Sequence, residues 1–369
     1  RENCRPEGGR RVDRGRASGY CERVHPKHAA RENSLSLKVA ILGATGAVGS
    51  EMVRILESRT FPLSELRALS TVRSAGRPVR FRGEALEARE VAGHSFDGID
   101  YALFAAGADA SRAWAPVARR AGATVIDNSI AFRYEDDVPL VVPEVNAHAL
   151  AQAKGLVANP NCSTIQLVLV LAPLMRLAAL ERVVVATYQS VSGTGAEALF
   201  ELDDQVRADV AGRPAGHRIY PRPIAFNVLP HIDDFLDNGY CREEMKLLWE
   251  SRKILGLPDL ALSATTVRVP VRVGHSEAVT IDFDRVVSPA EARAALSAAP
   301  GVRVVDDLAR GHYPTPLEAA GGDDALVGRI RRDLSHEKGL ALFIACDNLR
   351  KGAALNAVQI AEILIRDYL

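Results

Sequence analysis

The chain has 369 residues, which is enough for about two domains with a sizeable core. Hydrophobic residues make up 47% and charged residues 25% of it, and 46 Lys and Arg balance 46 Asp and Glu. This balance argues against a nucleic-acid partner or a membrane surface and favours a small molecule. The longest apolar runs are far shorter than the roughly 20 residues of a membrane span. Five cysteines without metal-type spacing indicate no disulfide framework and no metal site, and they favour the reducing cytoplasm.

Residues 1–34 differ in composition from the rest of the chain. They hold nine Lys or Arg and five Asp or Glu, with almost no aliphatic residues and no amphipathic period. Such a segment cannot bury enough surface to offset its ordering entropy, so we predict a disordered tail. A transit peptide is less well supported because those segments are poor in acidic residues.

A periodic pattern begins at Leu37. The run "LKVAILGATGAVGSEMVRILESR" predicts a buried strand, a glycine-rich turn and an amphipathic helix. Further strand-like runs are "ELRALS", "YALFAA", "ATVIDNS" and "VPLVVPEV", with a helical "ASRAWAPVARRAG" among them. This alternation predicts a parallel, doubly wound α/β domain over residues 35–161.

The pattern changes after Cys162. The runs "RVVVATYQSVS", "LSATTVRVPVRVGHSEAVTIDFD" and "RVVDD" are rich in β-branched residues with period-2 alternation, and "SPAEARAALSAAP" is typical of a capped helix. They predict an antiparallel α+β domain over residues 162–348. The amphipathic segment 349–369 is expected to pack back on the first domain and complete it.

The glycine turn suggests a dinucleotide site. Glycines at 43, 46 and 49 let a backbone approach a pyrophosphate, and the following helix offers free amides and a favourable dipole. A glycine turn that only makes a tight corner is the alternative. No acid follows the second predicted strand, whereas Ser70, Arg73 and Ser74 suit a 2′-phosphate, so we predict NADP. The alternative for Arg73 is an ordinary solvated charge.

Cys162 follows an Asn-Pro-Asn turn and precedes a long apolar run in "NPNCSTIQLVLVLAPL". This places it at a helix N-terminus, where the dipole and free amides lower a thiol pKa. A lone cysteine is more often an inert apolar residue, as we expect for Cys241 and Cys346. His275, beside a glycine at the end of "RVPVRVG", is the best candidate for its acid–base partner, although most single histidines are structural.

These motifs together resemble the aspartate-β-semialdehyde dehydrogenase family. The resemblance implies a Rossmann-like NADP-binding domain and an α+β catalytic and dimerisation domain similar to that of glyceraldehyde-3-phosphate dehydrogenase. It also implies reversible NADPH-dependent reduction of 4-phospho-L-aspartate to L-aspartate 4-semialdehyde and phosphate, in lysine, threonine, methionine and diaminopimelate biosynthesis. Such enzymes are cytoplasmic homodimers, sometimes tetramers. From about Leu37 to Tyr368 the matching stretches include "VAILGATGAVG", "STVRSAG", "DNSIAFR", "NPNCSTIQ", "TYQSVSGTG", "EEMK", "SATTVRVPV", "HSEAV", "VGRIRRDL" and "DNLRKGAALNAVQIAE".

The resemblance also implies roles for individual residues. Cys162 would form a thioester, His275 would act as general acid and base, and Gln189 would orient the intermediate. Arg268 would bind the substrate α-carboxylate and Glu243 its amino group. The phosphate would be held by Arg133, Asn161 and Lys246. Cofactor contacts would come from Gly43, Thr45, Gly46, Ala47, Val48, Ser70, Arg73, Ser74, Gly107, Ser192, Gly193 and Asn348.

Two positions depart from the family pattern, and three alternative functions stay open. Ala105 and Ile130 stand where hydroxyl residues are common, which predicts altered cofactor contacts at most. An N-acetyl-γ-glutamyl-phosphate reductase is the nearest enzymatic alternative, but its cysteine has a different setting. The others are a catalytically silent NADP-binding paralogue and a plain NADP-dependent reductase without covalent catalysis.

Overall fold

Two six-stranded sheets organise the protein, and the computed structural model describes residues 35–369. The predicted disordered tail, residues 1–34, lies outside the described residues. Both sheets belong to one unit, Leu37–Leu369, and side chains from both sheets enter one hydrophobic core. The predicted division between residues 161 and 162 therefore falls inside this core, at the start of a buried helix.

The first sheet is parallel throughout, which confirms the predicted doubly wound architecture. Its strands run in the order β5-β2-β1-β6-β7-β8, and the order reverses beside β1. In such sheets the crevice beyond the carboxyl ends of the strands at this reversal binds ligands. The strands are β1 (Leu37–Leu42), β2 (Leu63–Ser70), β5 (Arg89–Glu90), β6 (Tyr101–Phe104), β7 (Thr124–Asp127) and β8 (Leu156–Ala158), and β3 (Pro78–Phe81) and β4 (Glu84–Glu87) form a separate hairpin.

The prediction of a strand at "VPLVVPEV" was wrong. It forms one isolated bridge, between Leu140 and Ala158, and its end is a short helix, α3 (Pro143–Asn146). Pro139 and Pro143 lack the amide hydrogen that a central strand must donate, so this apolar run cannot sustain a ladder. The short β8 takes the edge position instead.

The second sheet is mixed rather than purely antiparallel. Its order is β10-β9-β11-β14-β13-β12, with antiparallel pairs in the centre and parallel pairs at both edges. Helical connections join β9 to β10 and β12 to β13, and such crossovers return a chain parallel to its starting strand. The strands are β9 (Leu180–Gln189), β10 (Ala261–Arg268), β11 (His275–Phe283), β12 (Val302–Val304), β13 (Ala325–Arg332) and β14 (Gly339–Cys346).

Helices cover both sheets. The central one, α4 (Cys162–Met175), is buried along nearly its whole length, as expected for a helix that is apolar on all sides. The last helix, α9 (Leu355–Tyr368), follows a π-helical turn, Arg350–Ala354, and contacts α1 (Ala47–Ser58) and β7. Glu362 on α9 pairs with Arg59 at 2.6 Å. The remaining helices are α2 (Ala108–Arg120), α5 (Ala196–Val210), α6 (Arg242–Leu255), α7 (Pro289–Ser297) and α8 (Pro316–Ala319).

Candidate active site

Cys162 is the first residue of the buried helix α4, as the Asn-Pro-Asn turn predicts. Asn161 caps this helix, because its Oδ1 accepts hydrogen bonds from the amides of Ser163 and Thr164 at 3.0 and 3.3 Å. A π-helical turn lies against the cysteine, where a Cβ on Gly352 would stand 3.1 Å from the Cys162 Cβ. The thiol therefore sits at the end of a fixed helix with backbone packed beside it.

Three of the predicted site residues donate hydrogen bonds to the carboxylate of Glu243. Its Oε1 accepts hydrogen bonds from Asn161 Nδ2 at 2.9 Å and Gln189 Nε2 at 3.0 Å, and its Oε2 accepts one from Lys246 Nζ at 2.9 Å. Burial alone would raise the pKa of Glu243, but the Lys246 ammonium and these hydrogen bonds outweigh it and lower the pKa to about 2. Glu243 is therefore a fixed, buried negative charge.

Arg268 and His275 both form hydrogen bonds with Ser190, in the turn that follows β9. Arg268 Nη1 donates to the Ser190 carbonyl oxygen at 2.7 Å, and the Ser190 amide donates to His275 Nδ1 at 3.0 Å. In the part of the chain that the structure describes, Arg268 Nε and His275 Nε2 are buried without a hydrogen-bond partner. A Cβ on Gly193 would stand 3.2 Å from both Arg268 Nη1 and His275 Nε2, so glycine keeps the space in front of both groups open.

The titration of Cys162 and His275 is set mainly by burial. Burial, reinforced by Arg268, lowers the pKa of His275 to about 3. Burial, reinforced by Glu243 and opposed by cationic neighbours including Arg268, raises the pKa of Cys162 to about 12. The helix N-terminus predicts the opposite direction for Cys162, and the difference arises because desolvation of the sulfur dominates. Hydrogen bonds link the surroundings of the two groups: Asn161, next to Cys162, and Gln189 both donate to Glu243, and Ser190, which follows Gln189, donates to His275.

Arg133 reaches the site through a buried ion pair. Its Nη1 donates to Glu250 at 2.9 Å, and its other groups donate to the carbonyl oxygens of Asn159 and Asn128 at 2.9 and 2.7 Å. Glu250 also accepts a hydrogen bond from the Asn161 amide at 2.6 Å. Sequence reasoning assigned Arg133 to phosphate but missed the carboxylate that holds it.

The spacing of charged residues along α6 could have predicted the role of Glu250. Glu243, Lys246 and Glu250 follow one another at intervals of three and four residues, so they share one face of α6. This face is buried, since Glu250 is 0% and Glu243 5% exposed. Charges repeated at this spacing in a helix that packs on the core indicate a paired cluster.

The glycine turn between β1 and α1 is tightly packed. Gly43 has a φ of 93°, and a Cβ there would stand 2.7 Å from the Ala105 carbonyl. A Cβ on Gly49 would clash with the Gly43 carbonyl oxygen. The helix begins at Ala47 with Gly46 as N-cap and no side-chain cap, so the amides around Thr45, Ala47 and Val48 stay available to an anion.

The other predicted cofactor residues fall into two groups. Ser70 ends β2 with a buried Oγ that has no partner among the described residues, and Arg73, 85% exposed at its side chain, lies 3.9 Å from Glu197. Ser74 closes the short 3₁₀ turn that contains Arg73, and Gly107 is the N-cap of α2. The second group is beside His275 and consists of Ser192, Gly193 and Asn348.

Two further features bear on function. None of the helices in residues 35–369 has the length and apolar character that a membrane span requires. Within the same residues, no group of three or more His, Cys, Asp or Glu side chains could hold a metal ion, and the three cysteines are free thiols.

Comparison with known proteins gives one consistent result. Residues 38–153 match the family model for the semialdehyde dehydrogenase NAD binding domain, and residues 171–351 match the model for the semialdehyde dehydrogenase dimerisation domain. Aspartate-semialdehyde dehydrogenase of Legionella pneumophila is 52% identical over 339 residues, which is 91% of this chain and 98% of the relative. The Bacillus subtilis enzyme is 48% identical, over 89% of this chain and 97% of its own length.

Solved structures agree with the sequence relatives. Aspartate semialdehyde dehydrogenase II of Vibrio cholerae, in a complex with ASA, superposes with a TM-score of 0.88 at 44% identity, covering 91% of this chain and all of its own. The Candida albicans enzyme with NADP has a TM-score of 0.70 at 26% identity, covering 90% of this chain and 99% of its own. The chain therefore belongs to the aspartate-semialdehyde dehydrogenase family.

Proposed function

We propose that this enzyme converts 4-phospho-L-aspartate and NADPH to L-aspartate 4-semialdehyde, phosphate and NADP, reversibly, through a thioester on Cys162. The observation that carries the proposal is the buried Glu243 carboxylate, which accepts hydrogen bonds from Asn161, next to Cys162, and from Gln189, next to the Ser190 carbonyl to which Arg268 donates. A substrate with an ammonium and a carboxylate on one carbon needs an anion and a cation near its reacting carbonyl. Glu243 is proposed to bind the ammonium and Arg268 the carboxylate.

The phosphate end of the substrate is proposed to meet cations and amides. Lys246 is paired with Glu243 and with Asp233 at 2.7 Å, so it stays charged: burial lowers its pKa, but these two carboxylates raise it more. Asn161 and Arg133 complete the phosphate site. Gln189, whose amide already donates to Glu243, is proposed to orient the acyl group.

The covalent step is balanced as follows. Sγ of Cys162 bonds to the acyl carbon, the bond from that carbon to the phosphate oxygen breaks, and phosphate leaves with the electron pair. The thiol proton ends on the phosphate product. In the second step the thioester carbon is reduced, its bond to sulfur breaks, and the sulfur regains a proton. His275 is proposed as the acid–base group of the site.

NADP(H) is the proposed cofactor: NADPH would supply the hydride in the reductive direction, and NADP would accept it in the reverse direction. The residues fit it, because the first turn of α1 has uncapped amides and Ser70 has a buried hydroxyl without a partner in the described chain. Ser70, Arg73 and Ser74 are proposed to bind the 2′-phosphate. Cofactor contacts are further proposed for Gly107, Ser192 and Gly193.

The biological setting is part of the same proposal. The product would feed lysine, threonine, methionine and diaminopimelate synthesis in the cytoplasm. The family model of the second region, named as a dimerisation domain, supports a homodimer. The division into a cofactor domain, residues 35–161 with 349–369, and a catalytic domain, residues 162–348, is likewise proposed.

The test is phosphate-dependent NADP reduction with L-aspartate 4-semialdehyde, with NAD as a parallel cofactor. We expect activity that requires phosphate and prefers NADP, and its loss in Cys162→Ala. Cys241→Ser is a matched control, because Cys241 is a buried thiol that is hydrogen-bonded to the Thr266 hydroxyl. Equal activity in native and Cys162→Ala protein would favour a plain reductase. Retained NADP binding without turnover would favour a silent paralogue.

A further inference from the structure

Both carboxylate oxygens of Glu250 face hydrogen-bond donors. Oε1 accepts from Arg133 Nη1 at 2.9 Å and from the Tyr134 hydroxyl at 3.4 Å, and Oε2 accepts from the Asn161 backbone amide at 2.6 Å. The side chain is fully buried. A carboxylate only accepts, whereas a glutamine would turn an NH₂ group toward one of these donors. The position therefore requires an anion, and Glu250 ties the Arg133 guanidinium to the residue that precedes Cys162.

Lys253, about one turn further along α6, holds the backbone of the same segment. Its Nζ donates to the carbonyl oxygens of Arg133, Glu135 and Val138 at 3.0, 2.7 and 2.9 Å. An ammonium has three protons, and three acceptors surround this one. The segment from Arg133 to Val138 is thus closed around Lys253, so that the backbone of Arg133 is fixed as well as its side chain.

The Arg133 guanidinium keeps donors for a ligand. Besides its bond to Glu250, it donates through Nε to the Asn159 carbonyl oxygen at 2.9 Å and through Nη2 to that of Asn128 at 2.7 Å. A guanidinium has five N–H groups, so within the described residues one N–H on each Nη atom is left without an acceptor. A phosphate can accept from both. Glu250 is an anion and Lys253 has its three protons engaged, so neither is suited to bind the phosphate itself.

The charged residues of α6 divide into two pairs with different tasks. Glu243 and Lys246 are proposed to contact the substrate directly, whereas Glu250 and Lys253 hold Arg133. We propose that Glu250 and Lys253 are positioning residues, which fix Arg133 relative to Cys162 so that a phosphate bound by Arg133 lies beside the acyl group. The inference rests on the proposed function for the identity of this ligand. Such placement matters because a shift of about 1 Å in a positioned group can cost about 100-fold in rate.

The kinetic test compares KM for phosphate with the other Michaelis constants. Lys253→Met and Glu250→Gln each remove a charge-assisted hydrogen bond, so we expect KM for phosphate to rise about 10-fold, with KM for L-aspartate 4-semialdehyde and NADP nearly unchanged. Arg252→Met is the matched control, since this half-buried cation of α6 donates to the Leu260 carbonyl oxygen and not to the Arg133 segment. Lys253→Arg keeps a cation at the site and should restore most of the loss.

A general loss of folded protein would give a different result, because it lowers the apparent kcat and leaves every KM unchanged. An unchanged KM for phosphate in both variants, or equal increases in all three KM values, would overturn the proposal. Where Glu250→Gln does not fold, Lys253→Met decides the outcome, since the Lys253 side chain lies partly in solvent.

Phosphate binding can also be measured without turnover. Inorganic phosphate is titrated against alkylation of Cys162 by iodoacetamide, which is followed by mass spectrometry of the Cys162 peptide. We expect the half-protecting phosphate concentration to rise about 10-fold in Lys253→Met and to stay at the native value in Arg252→Met. Equal protection in native and Lys253→Met protein, or none in either, would overturn the proposal. The expected shift in a protein without phosphate-dependent turnover would refute the proposed function and leave the positioning role standing.

Discussion

Two buried glutamates show how local partners decide the charge of a site. Glu243 accepts three hydrogen bonds, and its pKa is lowered to about 2 by Lys246, Gln189 and Asn161 against the effect of burial. Glu277 is 0% exposed, neither of its carboxylate oxygens has a hydrogen-bond partner in the described chain, and burial raises its pKa to about 8. The same side chain is an anion in one place and a neutral acid in the other.

The two glutamates lie beside different turns of α4. Glu243 accepts a hydrogen bond from Asn161, the N-cap of α4, whereas the rise in the pKa of Glu277 is opposed by Gln166, one helical turn beyond Cys162. Charge is thus concentrated at the helix start, where the thiol is, and is absent one turn deeper. A charged substrate can be recognised at the first position only.

The largest expected effect comes from removing the charged member of this pair. Glu243→Gln keeps the shape but cannot bind an ammonium, so we expect kcat/KM for L-aspartate 4-semialdehyde to fall about 10³-fold. Steady-state kinetics at saturating phosphate and NADP measure this. Glu277→Gln is the control and should retain activity within about threefold. Equal losses in both variants would mean that Glu243 acts through stability and not through substrate binding.

The neutral member should be visible in the pH dependence of stability. Because the folded pKa of Glu277 is raised from 4.5 to about 8, the unfolded state loses this proton first, and stability is present below pH 4.5 and lost as the pH rises toward 8. The slope is about 1.4 kcal/mol per pH unit for one proton. We expect Glu277→Gln to remove this loss in urea unfolding between pH 5 and 8. A parallel decline in the native and variant proteins would show that Glu277 is not the group responsible.

Glu250 offers an intermediate case, a buried carboxylate paired with a guanidinium. Glu250→Gln leaves Arg133 charged and without its anion, and we expect the free energy of unfolding to fall by about 3 kcal/mol. Chemical denaturation with guanidinium chloride gives the value. The matched variant Asp204→Asn removes an exposed partner of Arg207 and should change stability by less than about 0.5 kcal/mol. A similar small change for Glu250 would mean that the buried pair contributes little.

An exposed charge should give the smallest effect. The Arg73 side chain is 85% exposed and lies 3.9 Å from Glu197, so replacing it should change the stability of the free protein little. If it binds the 2′-phosphate, Arg73→Ala raises KM for NADP about 10-fold and leaves KM for NAD unchanged. Initial rates with both cofactors measure the ratio. An equal change for both cofactors would remove Arg73 from the 2′-phosphate site.

The parts of the structure that sequence predicts well are those set by neighbouring residues. The strand, glycine turn and helix from Leu37 onward and the placement of Cys162 at a helix start follow from local spacing. The strand prediction for "VPLVVPEV" was wrong because it followed the apolar pattern and gave too little weight to the two prolines, which is also a local feature. The parallel edges of the second sheet depend on crossovers between distant segments, which no local pattern reports.

The charge states of the site were less predictable. Glu250 and Ser190 were missed because their roles depend on contacts with residues far along the chain, such as Arg133 and His275. The pKa of Cys162 has the opposite direction to that predicted from the helix terminus, because burial is a property of the packed fold. Motif spacing locates reactive groups, but their protonation depends on packing.

The most direct test of the Cys162 thioester is a pre-steady-state measurement without phosphate. Mixing the native enzyme with L-aspartate 4-semialdehyde and NADP should give a rapid burst of about one NADPH per chain, because hydride transfer precedes the step that needs phosphate. Adding phosphate should then restore turnover, and Cys162→Ala should show no burst. Steady NADPH formation without a burst, at the same rate with and without phosphate, would contradict covalent catalysis at Cys162.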